Sequence, residues 1–219
     1  MIQTALSTVL RTETRELHLQ AERSGVMAAL LRGQLPLEGY GAMLAALLEI
    51  YTALEEGLEQ NAADPAIAAL RHPGLARRAA LTSDLAVLRR LGFAPLEPVA
   101  EAKAYAAHLR MVAGHDPLRL VAHAWLRYLG DLNGGRVLER VVRERLGVPD
   151  GAMAFYRFPA LSDPAAAAVA WRLSLDGLEA DAALQSLLVN EAREGFRRHI
   201  AMFEALAPVQ DAAEASSDA

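Results

Sequence analysis

Cysteine is absent from all 219 residues. That excludes a disulfide framework, a thiolate nucleophile, thiolate metal ligation and a cysteine-bound iron–sulfur cluster. Aromatic residues are scarce at 5%, which argues against a β sandwich, whose strands draw on aromatic and β-branched side chains. No charge-free apolar run approaches the ~20 residues a membrane span needs. The N-terminal stretch has no basic segment ahead of its short apolar one, so it reads poorly as a signal peptide. The net charge of −5 gives no global attraction to nucleic acid. These absences together lead us to expect a soluble, cytoplasmic protein. What is abundant is apolar: 53% of residues, mostly Ala and Leu, a bias that suits helices.

Helical spacing recurs along the chain. Thr4 or Ser7 can cap a first helix to about Arg23, with Leu10, Thr14, Leu17 and Ala21 on one face. Ser24-Gly25 stops it, and a short apolar segment, Val26 to Leu31, precedes Gly33. Pro36 opens a long helix, Leu37 to Gln60, with Tyr40, Leu44, Leu47, Tyr51, Leu54 and Leu58 in register. A third helix runs from Pro73 to Arg90, with Asp84 and the Arg77-Arg78 pair expected in solvent. Gly92 to Pro95 connects to a fourth, Pro98 to Ala113. Gly147 to Pro159 is irregular, its aromatics tucked onto the core. Asp163-Pro164 caps a helix to about Leu175, and a last one spans Ala180 to about Leu206. With no strand alternation, repeat or linker, the expectation is one all-α domain over residues 1–206 and a disordered polar tail over 207–219.

The chain is organised around Leu120 to Leu146, LVAHAWLRYLGDLNGGRVLERVVRERL. Its flanks are amphipathic and helical, yet Gly130, Gly134 and Gly135 fall in its middle beside Asp131 and Asn133. Each glycine costs a helix roughly 0.5–1 kcal/mol relative to alanine. Two readings stay open on spacing alone. Asn-Gly-Gly is turn chemistry, or something flat lies against a backbone where any Cβ would collide.

The six histidines lack the common metal-site spacings. None of His18, His72, His108, His115, His123 and His199 has an acidic residue three positions before it, which disfavours a Glu-x-x-His di-iron bundle. Paired-histidine zinc motifs are absent too. His18 has Glu22 one turn later on the same helical face. Such a pair is either an ordinary surface contact or a metal-bound imidazole with its second nitrogen held by an acceptor. Arg11 lies two turns before His18, roughly 10 Å along the helix.

LVAHAWLRYLGDLNGGRVL closely resembles the distal-helix signature of the heme oxygenases. TRELHLQAE, Thr14 to Glu22, resembles their proximal helix. EIYTALEE, Glu49 to Glu56, RLSLDGL, Arg172 to Leu178, and GFRRHIAMFEA, Gly195 to Ala205, extend the resemblance. The resemblance implies an all-α, single-domain helical bundle with heme b between a proximal helix and a glycine-kinked distal helix. It implies His18 as the iron ligand, Glu22 as its acceptor, and Arg11, Arg15 and Arg172 as propionate partners. Phe196 becomes a pocket residue and His199 a polar neighbour of the distal water network. Asp131, with Arg127 and Tyr51, is implied to hold water beside bound dioxygen, while Gly130, Gly134 and Gly135 bring backbone over the ring. His123 is implied to be a core histidine and not a ligand. Trp125 and Ala168 depart from the animal pattern of propionate contacts, leaving Arg11 and Arg172 as the main clamp.

The activity so implied is oxidative opening of heme at a meso carbon, α being usual, to biliverdin with release of ferrous iron and carbon monoxide. The alternative is a non-catalytic heme carrier or store of the same fold, for which Asp131 and the glycine trio are unnecessary. No flavin or nicotinamide fingerprint is present, so electrons are expected from an external ferredoxin or flavodoxin. Arg136, Arg140, Arg143 and Arg145 offer it a basic docking segment, although a solvated helix face interleaved with Glu139 and Glu144 explains them equally well.

Overall fold

The structure is a computed structural model that describes residues 4–93 and 97–207. The expected tail from 208 onward and part of the connector at 94–96 lie outside the described residues. Eleven α-helices and no strand occur among the described residues. They are α1 Leu6–Glu13, α2 Arg15–Glu22, α3 Gly25–Arg32, α4 Leu37–Gln60, α5 Pro65–Leu70, α6 Arg78–Arg90, α7 Ala100–His115, α8 Leu120–Ala124, α9 Gly130–Arg145, α10 Pro164–Asp176 and α11 Ala182–Ala205.

α4 is the central helix. The expected stripe of Tyr40, Leu44, Leu47, Tyr51, Leu54 and Leu58 is buried, and so are Met43, Ala46, Ile50 and Ala53 on the flanking faces. It packs against α6, α7 and α8. Each fully buried large apolar side chain contributes roughly 1.5–3 kcal/mol, so α4 is the helix whose disruption would cost the fold most.

The first expected helix is two. Thr14 leaves helical geometry at φ −115°, ψ 2°. It is buried, and its hydroxyl donates back to the Leu10 carbonyl at 2.7 Å, a local bond that competes with the helix. Neither Thr4 nor Ser7 caps α1; Ala5 stands at the cap. Ser7 instead donates through its N–H and its hydroxyl to Asp176 at 2.7 and 2.9 Å, tying α1 to α10. α3 begins at Gly25, with φ +40°, where a Cβ would lie 1.9 Å from the Phe203 carbonyl oxygen. That close approach seats the α2–α3 corner on α11.

The Pro73–Arg90 segment is also divided. Pro73–Leu75 forms one 3₁₀ turn, and α6 starts at Arg78. Asp84 and Arg77, expected in solvent, are buried. Asp84 accepts the N–H groups of Ala154 and Phe155, both at 2.8 Å. Arg77 donates to the carbonyls of Phe155 and Arg157 at 3.2 and 2.6 Å and stacks on the Phe158 ring. The reason is local to residues 150–158. They form only two short 3₁₀ turns, so their backbone groups need side-chain partners, and Tyr40 adds a third by donating to Ala152. Phe155 and Tyr156 are thereby fixed over α4, where they line a cavity.

Candidate active site

The segment from Leu120 to Arg145 is helical throughout and not a turn. α8 passes through a wide π-helical turn, Trp125–Leu129, into α9 with Gly130 at φ −59°, ψ −48°. Such π turns recur at functional sites because they re-aim side chains within a continuous helix. Here Arg127 and Asp131 come out paired, with Arg127 Nη2 donating to Asp131 Oδ1 at 2.9 Å.

A cavity of about 330 Å³ lies between α2, α3 and this helix, lined mainly by apolar side chains. The bare backbone of Gly130 and Gly134 forms part of the wall, and a Cβ on either would meet nothing within 4 Å. The third glycine does something else. Gly135 is buried and not part of the wall, and a Cβ on it would meet the Tyr156 carbonyl oxygen at 3.7 Å.

His18, Glu22, Arg127, Asp131, Phe196 and His199, all singled out in the sequence, line this cavity. His18 Nδ1 stands 3.8 Å from Glu22 Oε1, and both side chains are about half exposed. That contact leaves Nε2 free for a ligand bond. The His18 ring meets Phe196 edge-on at 5.8 Å, and Phe196 in turn meets Trp125. Trp125 and Ala168 are both buried and off the cavity wall.

The Asp131 side is a closed hydrogen-bond network. Tyr51 lies behind the wall, fully buried, and its hydroxyl donates to Asp131 Oδ2. Arg127 Nε donates to the Tyr51 oxygen at 3.0 Å. His199 Nδ1 donates to the Gly195 carbonyl at 2.9 Å, which leaves Nε2 as acceptor for Arg127 Nη1 at 3.2 Å. Every polar group in the set has a partner of the right kind. Burial raises the Asp131 carboxyl above its ordinary pKa, with Arg127 and the Tyr51 hydroxyl pulling the other way. Burial, aided by the adjacent Arg127 charge, holds His199 well below the usual imidazole value. His199 is therefore neutral and an acceptor at pH 7, the form that Arg127 requires.

Besides Gly135 and Tyr51, three of the sequence's candidates fall outside the cavity. Arg11 and Arg15 are exposed and Arg172 is half-buried. None forms an ion pair among the described residues. Glu13, a possible counter-charge for Arg11, pairs with Arg193 at 2.6 Å instead. Arg11 and Arg172 each lie one helical turn from the Ser7–Asp176 hydrogen bonds. His123 is a core histidine, 0% exposed and bonded to Tyr105 and Glu191.

Sequence reasoning missed Tyr156 and Leu126 as wall residues. Tyr156 sits in an irregular segment where no periodicity assigns a face. Leu126 is displaced by the π turn, which no residue pattern announces.

The fold and the site define a helical-bundle protein with an apolar cavity between a half-exposed histidine and a largely buried, hydrogen-bonded acid. A sequence model of heme oxygenase matches residues 4–205, and the chain belongs to the heme oxygenase family. It is 37% identical over 205 residues to heme oxygenase 1 of Rattus norvegicus, covering 92% of this chain and 71% of that one. Heme oxygenase 1 of a Nostoc species is 31% identical, with 92% and 85% covered. Heme oxygenase-1 from the cyanobacterium Synechocystis, solved in complex with heme, superposes with a TM-score of 0.91 at 29% identity, covering 98% of each chain.

Proposed function

We propose that the chain is a heme oxygenase that opens heme b to biliverdin, with release of ferrous iron and carbon monoxide, drawing on dioxygen and external electrons. The observation that carries this reading is the pairing, in one cavity, of a histidine free at Nε2 with a buried carboxyl held by two donors. The cavity fits the substrate on its own terms: it is apolar, and its glycine backbone lets a flat macrocycle approach closely.

When bound, heme supplies the iron at which dioxygen is activated, and a neutral histidine ligand suits that chemistry. His18 would hold that iron through Nε2, oriented by Glu22. Arg11, Arg15 and Arg172 would hold the propionates outside the apolar chamber and so favour opening at the α-meso carbon. Asp131 holds and moves a proton at its carboxylate. Arg127 and Tyr51 fix its orientation, and its raised pKa brings it nearer the working pH, where proton exchange is most effective. His199 keeps Arg127 aimed by accepting its third hydrogen bond.

The electron donor is an acidic ferredoxin or flavodoxin docking on Arg136 and Arg140, which are exposed and have no acidic partner among the described residues. Arg143 is occupied by Glu139 and Asp150, and Arg145 by the Arg32 carbonyl. Among the described residues no helix is long and apolar enough to cross a membrane, and the cysteine-free chain suits the cytoplasm.

The test is a heme titration followed by ferredoxin-coupled turnover in air, with products separated by chromatography. Loss of the Soret band with one biliverdin isomer appearing is expected. A stable complex that yields no biliverdin, under a donor that drives a control enzyme, would instead establish the carrier.

A further inference from the structure

A second cluster of titratable side chains lies away from the cavity. His108 of α7, His123 of α8 and Glu191 of α11 converge so that one ligand atom from each lies within 4.8 Å of the others. His108 Nε2 stands 2.5 Å and His123 Nε2 2.8 Å from the same Glu191 oxygen. None of the three lines the cavity. Tyr105 separates the two sites: its hydroxyl bonds His123 Nδ1 at 2.8 Å, and its ring stands edge-on to His199 at 5.0 Å. His123 is fully buried, whereas the His108 and Glu191 side chains retain 10% and 6% exposure, so the cluster reaches solvent mainly at His108.

We propose that His108, His123 and Glu191 form a metal site, separate from the cavity, for a divalent first-row transition ion. Two imidazoles and one carboxylate are the donor set that zinc and ferrous iron favour. Three helices fix the ligand positions, and solvent on the His108 side completes the coordination. Tyr105 supplies the outer contact that sets the ring orientation of a histidine ligand. Burial would raise the Glu191 pKa, but the two imidazole partners more than offset it and hold the carboxylate ionised. Burial keeps His123 below the usual imidazole value and therefore neutral, the form that can coordinate.

The protons balance without a co-reactant. In the metal-free cluster each Nε2–H donates to the Glu191 carboxylate. On coordination both imidazoles shift to the Nδ1–H tautomer, His123 then donating to the Tyr105 oxygen. Tetrahedral metal–ligand bonds of about 2.0–2.2 Å place the ligand atoms roughly 3.4 Å apart, so the 2.5 and 2.8 Å contacts must open, the larger movement falling to His108 at the rim. Arg119 Nη1, 3.4 Å from the second Glu191 oxygen, also holds Asp116 at 3.2 Å and keeps that partner when displaced.

The experiment is equilibrium dialysis of the full chain against zinc, and anaerobically against ferrous iron, with His18→Ala and His108→Gln variants in parallel. His18→Ala removes the exposed imidazole that lines the cavity, so the result does not depend on how the cavity is read. We expect about one equivalent bound by the parent and by His18→Ala, and affinity at least about tenfold lower in His108→Gln. Cobalt substitution should give a visible ligand-field spectrum in the parent that His108→Gln lacks. The relative zinc and iron affinities identify the preferred ion. Equal binding by parent and His108→Gln, or no stoichiometric binding of either ion, would overturn the proposal.

Discussion

The two sides of the cavity are built on opposite plans. On the Asp131 side every polar group is already partnered: Asp131, Arg127, Tyr51 and His199 satisfy one another in a buried network anchored to the Gly195 carbonyl. On the His18 side the polar groups face outward. His18 and Glu22 are half exposed and 3.8 Å apart, and Arg11, Arg15 and Arg172 have no ion pair among the described residues. The first side is organised before any ligand arrives, as a group that must direct a proton should be, because fixed dipoles cost nothing to reorganise. On the proposed function the second side would be completed by the ligand, whose metal and anionic groups would supply the missing partners.

Substitutions on the two sides should therefore fail differently. The largest expected effect is on the preorganised side. Asp131→Asn keeps the shape but removes the titrating carboxyl, and biliverdin formation should fall about 100-fold or more with heme affinity nearly unchanged. A parallel loss of affinity would blur the distinction between the sides. Next, His18→Ala should weaken heme binding by roughly 100-fold, about 2.7 kcal/mol, and alter the Soret position while the chain stays folded by circular dichroism. Removing Arg11 and Arg172 together should cost a few-fold to about tenfold in affinity, since exposed ion pairs are individually weak. The same double variant should broaden the biliverdin isomer distribution, read by chromatography; one unchanged isomer would mean that these arginines do not orient the ring.

A smaller effect separates stability from function. A Cβ at Gly134 meets nothing within 4 Å, and alanine favours a helix by roughly 0.5–1 kcal/mol over glycine. Gly134→Ala should therefore unfold at higher denaturant concentration while binding heme less well. An unstabilised variant would show that the glycine relieves strain within the protein itself.

The smallest effect is the pH dependence of folding. His199 and His123 are held below the ordinary imidazole value by burial. As pH falls through about 6.5, the unfolded chain takes up protons at both positions and the folded chain does not, so stability falls from pH 7 toward 5. Asp131, raised by burial, works the other way: its contribution is favourable at acid pH and is lost as pH rises through its folded value. Urea midpoints at pH 7 and 5.5 should show a net decline that His199→Asn reduces; an equal decline in both proteins would remove His199 from the account.

Much of this arrangement was legible in the sequence, and unevenly so. The α4 stripe from Tyr40 to Leu58 was read correctly because long apolar periodicity has a single burial solution. Asp163-Pro164 marked the start of α10 because capping chemistry is local. Resemblance singled out His18, Arg127, Asp131, Phe196 and His199, which the fold brings to one cavity. Spacing alone left Asn133-Gly134-Gly135 open between turn and helix, since glycine permits both. Asp84 and Arg77 were misread as solvated because their partners are backbone groups about 70 to 80 residues away. The convergence of His108, His123 and Glu191 has no local signal either; only packing of α7, α8 and α11 brings them together.

The most direct test of the contrast between the two sides is nuclear magnetic resonance of the heme-free chain at neutral pH, with histidine and arginine labelled with nitrogen-15. The account predicts His199 as a single neutral tautomer protonated at Nδ1, and an Arg127 Nε–H protected from solvent exchange, while the Arg11 and Arg15 side chains exchange freely. A His199 ring that averages between tautomers, together with an Arg127 that exchanges as fast as Arg11, would contradict it.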